Sequence, residues 1–324
     1  MRGPAWVKSR WFKSVVACVL LGALALGVDW QSLPAHLARL DWRLGLLAML
    51  VVVVELPVNA WKWSWSLRLH DLHFGWRYLL RTACFGFFFN NFLPSAIGGD
   101  VYRIVRTAGR EGERSQAVSA VLVERVVGLG AMLVNGLLGA WWLFETHELA
   151  RWYVHLALAG FGATLVFAVL LGLGAFQGIR ARLERVAILQ PVWTNVRRIA
   201  RLRVEWLPLI ATSFLFQFLA AFVVYLAFAG TGAEISVAAA LLITAAAGIA
   251  SVLPISISGI GVVEGSIAGT AVALGVSYES AVLAAIIIRL VVVPVSAGCG
   301  LLYLTERNVA PAHPNVRDAS RDGV

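Results

Sequence analysis

Long apolar runs almost free of charge limit this chain to one class of fold. Such runs occupy residues 14–28, 44–60, 152–175 and 206–229. A helix of about 20 apolar residues, rising 1.5 Å per residue, crosses the roughly 30 Å hydrocarbon core of a bilayer. Backbone groups inside lipid must satisfy their own hydrogen bonds, so several such runs predict an all-α, polytopic membrane bundle.

The composition excludes several other classes of protein. Only 14% of the 324 residues are charged, against about 25% in soluble domains. The net charge of +9 comes from basic residues between the apolar runs, as membrane topology requires, and we expect no nucleic-acid partner. Cys18, Cys84 and Cys299 are isolated in sequence. No disulfide framework, metal-ligand spacing or catalytic constellation is apparent, so we expect no metal, no cofactor and no enzymatic activity.

The placement of Lys and Arg predicts the topology, because basic loops stay in the cytoplasm. It predicts a cytoplasmic N-terminus over residues 1–13, an uncleaved first span, and a disordered cytoplasmic tail over 306–324. The basic loops expected inside are 62–78, 99–115 and 177–205. The six full spans expected are 14–28, 44–61, 116–144, 152–175, 206–229 and 278–304. Trp61, Trp63 and Trp65 then read as an interfacial aromatic belt without a specific role.

The segment 79–98 does not fit a single crossing, because the loops on both sides of it are basic. A re-entrant hairpin that enters from the cytoplasm and returns would satisfy the charge rule. Asn90, Asn91, Pro94 and Gly98 suit a non-helical tip, and such backbone is tolerated at membrane depth only inside protein or beside water. The alternative is an ordinary span that breaks the charge rule.

Two parts of the chain resemble each other, which predicts an internal repeat. LPSAIGGD begins at Leu93 and LPISISGIG begins at Leu253. Each is preceded by an apolar segment and followed by a long span that carries one arginine, Arg125 or Arg289. The two prolines are 160 positions apart and the two arginines 164. Chance is the alternative, because Pro and Gly are frequent in membrane helices.

The boundaries follow from this resemblance. Within a single transmembrane domain over 14–305, repeat one covers 44–144 and repeat two covers 206–304. Counting spans places the mouth of the second hairpin, at 237–265, on the outside, so the two repeats are expected to be inverted. Inverted repeats whose broken helices meet near the midplane are typical of transporters.

Ionisable residues inside spans are costly and by default indicate function. The intramembrane set is Glu55, Glu124, Arg125, Glu264 and Arg289. The planar guanidinium suits phosphate, so the two arginines are the leading substrate-binding candidates. The remaining candidates lie at or near the first hairpin, and they are Asp100, Arg103, Arg106, Asn90 and Asn91. The alternative is that the charged residues form internal ion pairs that lock the two repeats together.

The glycines after each Leu-Pro allow two interpretations. Gly98 and Gly99 follow Pro94, and Gly259 and Gly261 follow Pro254. Neither group matches a nucleotide-binding fingerprint. They serve either as turns or as exposed backbone N–H groups that capture an anion at a helix start.

Three segments carry a family resemblance. FLPSAIGGDVYRIVR at 92–106, AVLVERVVGL at 120–129 and LPISISGIGVVEG at 253–265 resemble the lysylphosphatidylglycerol synthase transmembrane family, also called flippase-like. Arg289 and Pro294 resemble its last motif. The resemblance covers about residues 15–305 and implies a lipid-translocating domain without the soluble aminoacyltransferase domain of the full synthases.

This resemblance implies a function and its partners. We expect a flippase that moves a phosphate-bearing phospho-, glyco- or polyprenyl lipid between the leaflets of the bacterial inner membrane. Its expected partners are membrane lipids and a lipid-modifying enzyme. One alternative is a membrane-embedded accessory subunit of a glycosyl- or aminoacyl-lipid pathway that transports nothing itself. Another is an ion or solute transporter of the same architecture.

Overall fold

The computed structural model describes residues 10–29, 31, 33–38, 40–93, 98–108, 113–156, 158–159, 204–252 and 257–306. Most of these residues are helical, and none of them lies in a strand. The helices delimited among them are α1 (Arg10–Leu26), α2 (Leu33–Ala38), α3 (Trp42–Leu69), α4 (Trp76–Phe92), α5 (Gly98–Thr107), α6 (Glu113–Trp142), α7 (Trp206–Gly230), α8 (Val237–Val252), α9 (Val262–Ala273) and α10 (Tyr278–Glu306). Residues 148–156 are also helical.

Four of these helices are long and apolar enough to cross a membrane. They are α3, α6 from Arg114, α7 and α10 up to Thr305. Their number and hydropathy confirm the predicted polytopic helical membrane fold. Helix α1 begins at Arg10 and ends at Leu26, so it covers residues 14–26 of the predicted span 14–28. Most of the predicted span 152–175, most of the loop 177–205, and the ends of the chain before 10 and after 306 lie outside the described residues.

Helix α3 is longer than its apolar run. The predicted cytoplasmic loop from residue 62 is wrong at its start, because the helix continues to Leu69. Neither Gly nor Pro interrupts the sequence between Pro57 and Gly75, so nothing stops the helix there. These added turns bury Lys62 and Trp63.

Each Leu-Pro segment separates two helices that pack as a hairpin. Arms α4 and α5 pack together in repeat one, and α8 and α9 pack together in repeat two. A short 3₁₀ turn, Ile257–Gly259, precedes α9. The predicted limits 79–98 and 237–265 stop too early, because the returning arms extend to Thr107 and Ala273. Pro94 and Pro254 lie outside the described residues.

Asn90 and Asn91 are helical, so their predicted place in a non-helical tip is wrong. Both lie in the last turns of α4. Asn91 Nδ2 donates to the Phe87 carbonyl, 3.0 Å away, one helical turn back. Asn90 Oδ1 accepts from the Gly99 N–H at 2.8 Å and joins the end of α4 to the start of α5.

The helix boundaries support the repeat. The returning arms α5 and α9 begin 164 positions apart, and α6 and α10 end 164 positions apart. The first arms α4 and α8 end 160 positions apart, so the difference of four residues falls in the tips. Packing is preserved when the halves are exchanged, since α3 packs on α7, α4 on α10, and α8 on α6. The inverted orientation of the repeats across the membrane stays a prediction.

Two equivalent glycines allow the halves to approach closely. Gly136 of α6 and Gly300 of α10 are 164 positions apart. A Cβ on Gly136 would lie 2.5 Å from Ala245 Cβ of α8, and one on Gly300 would lie 2.5 Å from Phe88 Cε2 of α4. Each glycine therefore lets the last helix of one repeat pack on the first hairpin arm of the other.

Candidate functional site

A carboxylate and an arginine form an ion pair at equivalent positions in the two repeats. In repeat one, Arg125 places Nε at 2.9 Å and Nη2 at 2.7 Å from Asp100 Oδ2. In repeat two, Nε and Nη2 of Arg289 both contact Glu264 Oε1. The acid and the arginine are 25 positions apart in both repeats. The expectation that Glu264 pairs with an arginine is confirmed. The alternative of internal ion pairs is also confirmed for both arginines, but each pair lies inside its own repeat and so does not join the two repeats.

Both acids occupy the third position of a returning arm. Asp100 follows Gly98 and Gly99 in α5, and Glu264 holds the same place in α9. A carboxylate there is favoured by the free N–H groups and by the positive end of the helix dipole. Glu264 Oε2 accepts from the Gly261 N–H at 2.7 Å, which caps the helix start.

The glycines of the two tips do different work. Gly259 and Gly261 have φ of +74° and +82°, in the left-handed region that favours glycine. Gly99 instead permits a close approach, because a Cβ there would collide with the Gly86 carbonyl of α4 and lie 2.7 Å from Asn90 Oδ1. The turn interpretation is therefore confirmed for the second tip, and anion capture by either tip stays a prediction.

The two tips touch each other. Ser258 Oγ, in the second tip, donates to the Leu93 carbonyl at the end of the first arm, 2.8 Å away. Ser258 has φ of +49°, which is strained for a residue with a Cβ. The two hairpins thus meet at their broken ends, as the repeat pattern predicts.

Repeat one contains a second, buried layer of charge. Glu124 is 3% exposed and binds Lys62 Nζ at 3.0 Å through Oε1. Its other oxygen, Oε2, accepts from Arg103 Nη2. Arg103 Nη1 also lies 3.6 Å from Asp100 Oδ1, which joins this layer to the Arg125 pair. Three bases and two acids share the cluster, so one positive charge is left uncompensated inside it.

Sequence reasoning missed two members of this cluster. Lys62 was expected in a loop and Trp63 in an aromatic belt, yet both are buried. The Arg103 guanidinium lies 4.3 Å from the centre of the Trp63 ring, where the ring face attracts a cation. Uninterrupted helical spacing after Pro57 was the available signal, because it places Lys62 seven residues from the intramembrane Glu55.

The arginines are more accessible than their partners. The Arg125 side chain is 50% exposed and that of Arg289 27%, against 10% for Asp100 and 8% for Glu264. In each arginine, Nη1 makes no ion pair within the part of the chain that the structure describes. Each pair therefore presents a guanidinium outward, with its carboxylate behind.

Two other candidates do not join the cluster. Arg106 lies over the Tyr78 ring at 5.5 Å, and its backbone carbonyl accepts from the Tyr78 hydroxyl. Asn91 is engaged by its own helix. The structure thus brings together Asp100, Arg103, Glu124 and Arg125, and separately Glu264 and Arg289.

Two cysteines that are distant in sequence are neighbours in space. The side chains of Cys84 in α4 and Cys299 in α10 lie close to each other, although both cysteines are isolated in sequence, as expected. Both remain free thiols. The described helices contain no group of three His, Cys, Asp or Glu side chains suited to a metal ion.

Comparison with protein families identifies a match that covers most of the chain. Residues 10–298 match the family model described as the lysylphosphatidylglycerol synthase TM region. This range contains both hairpins and all the charged residues of the two pairs. No curated protein matches the chain.

Proposed function

Because the chain belongs to the lysylphosphatidylglycerol synthase transmembrane family, we propose that it moves a phosphate-bearing lipid between the leaflets of the bacterial inner membrane. The match identifies a multi-pass membrane protein of the flippase-like type used in lipid metabolism. It covers the transmembrane region of such proteins and includes no catalytic domain. Transport, the headgroup ligands and the inner-membrane location belong to the proposal.

The two equivalent arginines carry this proposal. Arg125 and Arg289 each hold one carboxylate oxygen through Nε and Nη2, which leaves Nη1 directed elsewhere. Guanidinium and phosphate form charge-assisted hydrogen bonds, often two at once. A lipid phosphate would bind the exposed side of an arginine and compete with Asp100 or Glu264 for it. When no lipid is bound, the acid compensates the arginine's charge.

The repeat would let the same chemistry serve both leaflets. In inverted repeats, equivalent residues face opposite sides, and one half rocks against the other. Arg125 would then receive the headgroup from one leaflet and Arg289 from the other, with the contacting tips between them. Arg103 and Arg106 would lie toward the cytoplasmic entrance. The acyl chains would stay in lipid, so only the headgroup needs shelter.

A reconstitution assay tests the proposal. The purified chain is placed in liposomes that contain tail-labelled fluorescent phosphatidylglycerol, and label in the outer leaflet is quenched chemically. With active protein we expect the protected inner fraction to become accessible. Arg125→Ala and Arg289→Ala should each slow this movement by about 10–100-fold, the equivalent of one lost charge-assisted interaction.

Arg151→Ala is the matched control, because the Arg151 side chain is 44% exposed and, among the described residues, its ion pair is a long contact of 3.5 Å with the exposed Glu148. It should keep the wild-type rate. Movement no faster than in empty liposomes, for phospholipid, glycolipid and polyprenyl phosphate alike, would refute the proposal. An accessory subunit would instead retain a copurifying lipid-modifying enzyme in both arginine variants.

A further inference from the structure

We propose that Glu55 is a proton-binding site that couples lipid movement to a proton gradient. The inference rests on the proposed transport function, and it concerns a residue outside both arginine pairs. Proton uptake from water on one side would convert the carboxylate to the neutral acid. Release of that proton to water on the other side would regenerate the carboxylate, one proton for each lipid moved.

Glu55 lies in the middle of a membrane-length helix. It lies thirteen positions after Trp42 and fourteen positions before Leu69, which is about 20 Å from either end at 1.5 Å per residue. Its Oε1 is fully enclosed and has no hydrogen-bond partner among the described residues. No described base forms an ion pair with it. An ionised carboxylate here would cost several kcal/mol, so the protonated acid is the stable form in this conformation.

The fold itself does not require a carboxylate at this position. Helix α7 is the equivalent of α3 in repeat two. Aligning the first residues of the two helices places Leu219 opposite Glu55, and aligning their last residues places Phe216 there. Both are apolar, so the same helix is built in repeat two without a charge. Costly ionisable residues of this kind form the proton relays of membrane transporters when they lie in series with other polar groups.

A polar face of α3 leads from Glu55 to the charged cluster. Asn59 is four residues on and Lys62 seven, spacings that place side chains on one face of a helix. Lys62 binds Glu124 of α6. The polar face thus begins at mid-helix and reaches the cluster that holds Arg125.

The same face continues to the end of the helix. Ser66 Oγ donates to the Ala120 carbonyl of α6 at 2.6 Å. His70 Nε2 lies 2.7 Å from Ser119 Oγ, also on α6. Polar groups therefore follow the contact between α3 and α6 from the middle of α3 to its last residues, and this line offers protons a route to Glu55.

The helices that pack on α3 provide no fixed counter-charge for Glu55. Helix α7 contains no charged residue, and its only tyrosine is Tyr225. The intramembrane charges of α6 and α10 are engaged elsewhere: Glu124 binds Lys62, Arg125 binds Asp100, and Arg289 binds Glu264. Helix α4 has its arginines and Tyr78 in its first two turns, and further along it carries the free thiol of Cys84. The proton on Glu55 is therefore governed by access to water and not by a permanent partner.

The test uses the full chain in liposomes with a pH difference across the membrane. In wild type we expect the steady-state leaflet distribution of labelled phosphatidylglycerol to shift by up to about tenfold per pH unit, because one pH unit is a tenfold change in proton activity. Glu55→Gln, which keeps the shape and removes the ionisable group, should abolish this shift. Glu148→Gln is the matched control, since Glu148 is 85% exposed, and it should keep the shift.

Infrared difference spectroscopy gives a readout independent of transport. The wild-type spectrum minus that of Glu55→Gln should show the carbonyl band of a protonated carboxylic acid at neutral pH. A carboxylate band there, or a pH response retained by Glu55→Gln, would overturn the inference. Lipid movement indifferent to pH in wild type would also overturn it and leave the proposed function intact. No lipid movement in any variant would refute the proposed function, and the infrared band would then decide whether Glu55 holds a proton.

Discussion

The two halves of the molecule share the same arrangement of helices but differ in their charged residues. Both have a long helix, a broken hairpin whose returning arm has an acid at its third position, and an arginine 25 residues after that acid. Repeat one adds Lys62, Arg103 and Glu124. At positions 164 residues later, repeat two has Leu226, Ile267 and Ile288.

This difference distinguishes the charged residues that both repeats have from those that only repeat one has. The acid–arginine pair occurs twice, so it belongs to the shared design. Lys62, Arg103 and Glu124, the buried triad, occur only in repeat one. Aliphatic side chains take their places in repeat two, where Ile267 is 2% exposed. Buried charges are costly unless each one has an ion-pair partner. In repeat one, Glu124 is the partner of both Lys62 and Arg103.

The largest expected effect comes from opening the triad. Glu124→Ile, which copies Ile288, leaves Lys62 and Arg103 buried without their shared partner. We expect a destabilisation of about 3–5 kcal/mol, the usual loss when one member of a buried ion pair is removed. Thermal unfolding of the purified protein in detergent measures it.

The triple variant Lys62→Leu, Arg103→Ile and Glu124→Ile tests whether the two halves pack in the same way around these residues. It removes all three charges and gives repeat one the side chains of repeat two. Replacing a complete buried ionic group by packed aliphatic residues is often neutral, so stability should return to within about 1–2 kcal/mol of wild type. A triple variant as unstable as the single one would show that the halves pack differently around this layer.

A smaller effect is expected at the arginines themselves. Arg289→Ala leaves the buried Glu264 with the Gly261 N–H as its partner among the described residues, and should cost about 2–3 kcal/mol. Arg125→Ala should cost about 1 kcal/mol, because Arg125 is half exposed and Asp100 keeps Arg103 at 3.6 Å. The two melting temperatures in detergent provide the test, and equal losses would contradict the assigned difference in partners.

The smallest effect concerns the glycines that let the halves approach. Gly136→Ala should destabilise by about 1–2 kcal/mol, since Ala245 Cβ cannot move without its backbone. Gly300→Ala should cost less, because the Phe88 ring that it meets can turn. Gly130→Ala is the control: nothing lies within 4 Å of a Cβ there, and it should be neutral or stabilising by up to about 1 kcal/mol. A tolerated Gly136→Ala would contradict the close approach.

Much of this architecture could be predicted from residue patterns. Hydropathy indicated the helical membrane class, and the repeated Leu-Pro and Gly pattern indicated two broken segments and the equivalence of Arg125 and Arg289. The residues at which the helices end could not be predicted from these patterns. Helix α3 continues to Leu69 because its last turns bury one face against other helices, and hydropathy along the chain does not report such contacts. The contact between Cys84 and Cys299 likewise depends on how α4 packs on α10.

The residue order alone places an acid 25 positions before an arginine in each repeat, with both residues close to a broken hairpin. Which charges meet depends on how the helices pack. Glu124 is adjacent to Arg125 in the chain, yet it binds Lys62 and Arg103, while Arg125 binds Asp100. The physical reason is that a helix turns by about 100° per residue, so sequence neighbours point to different faces and their partners come from other helices.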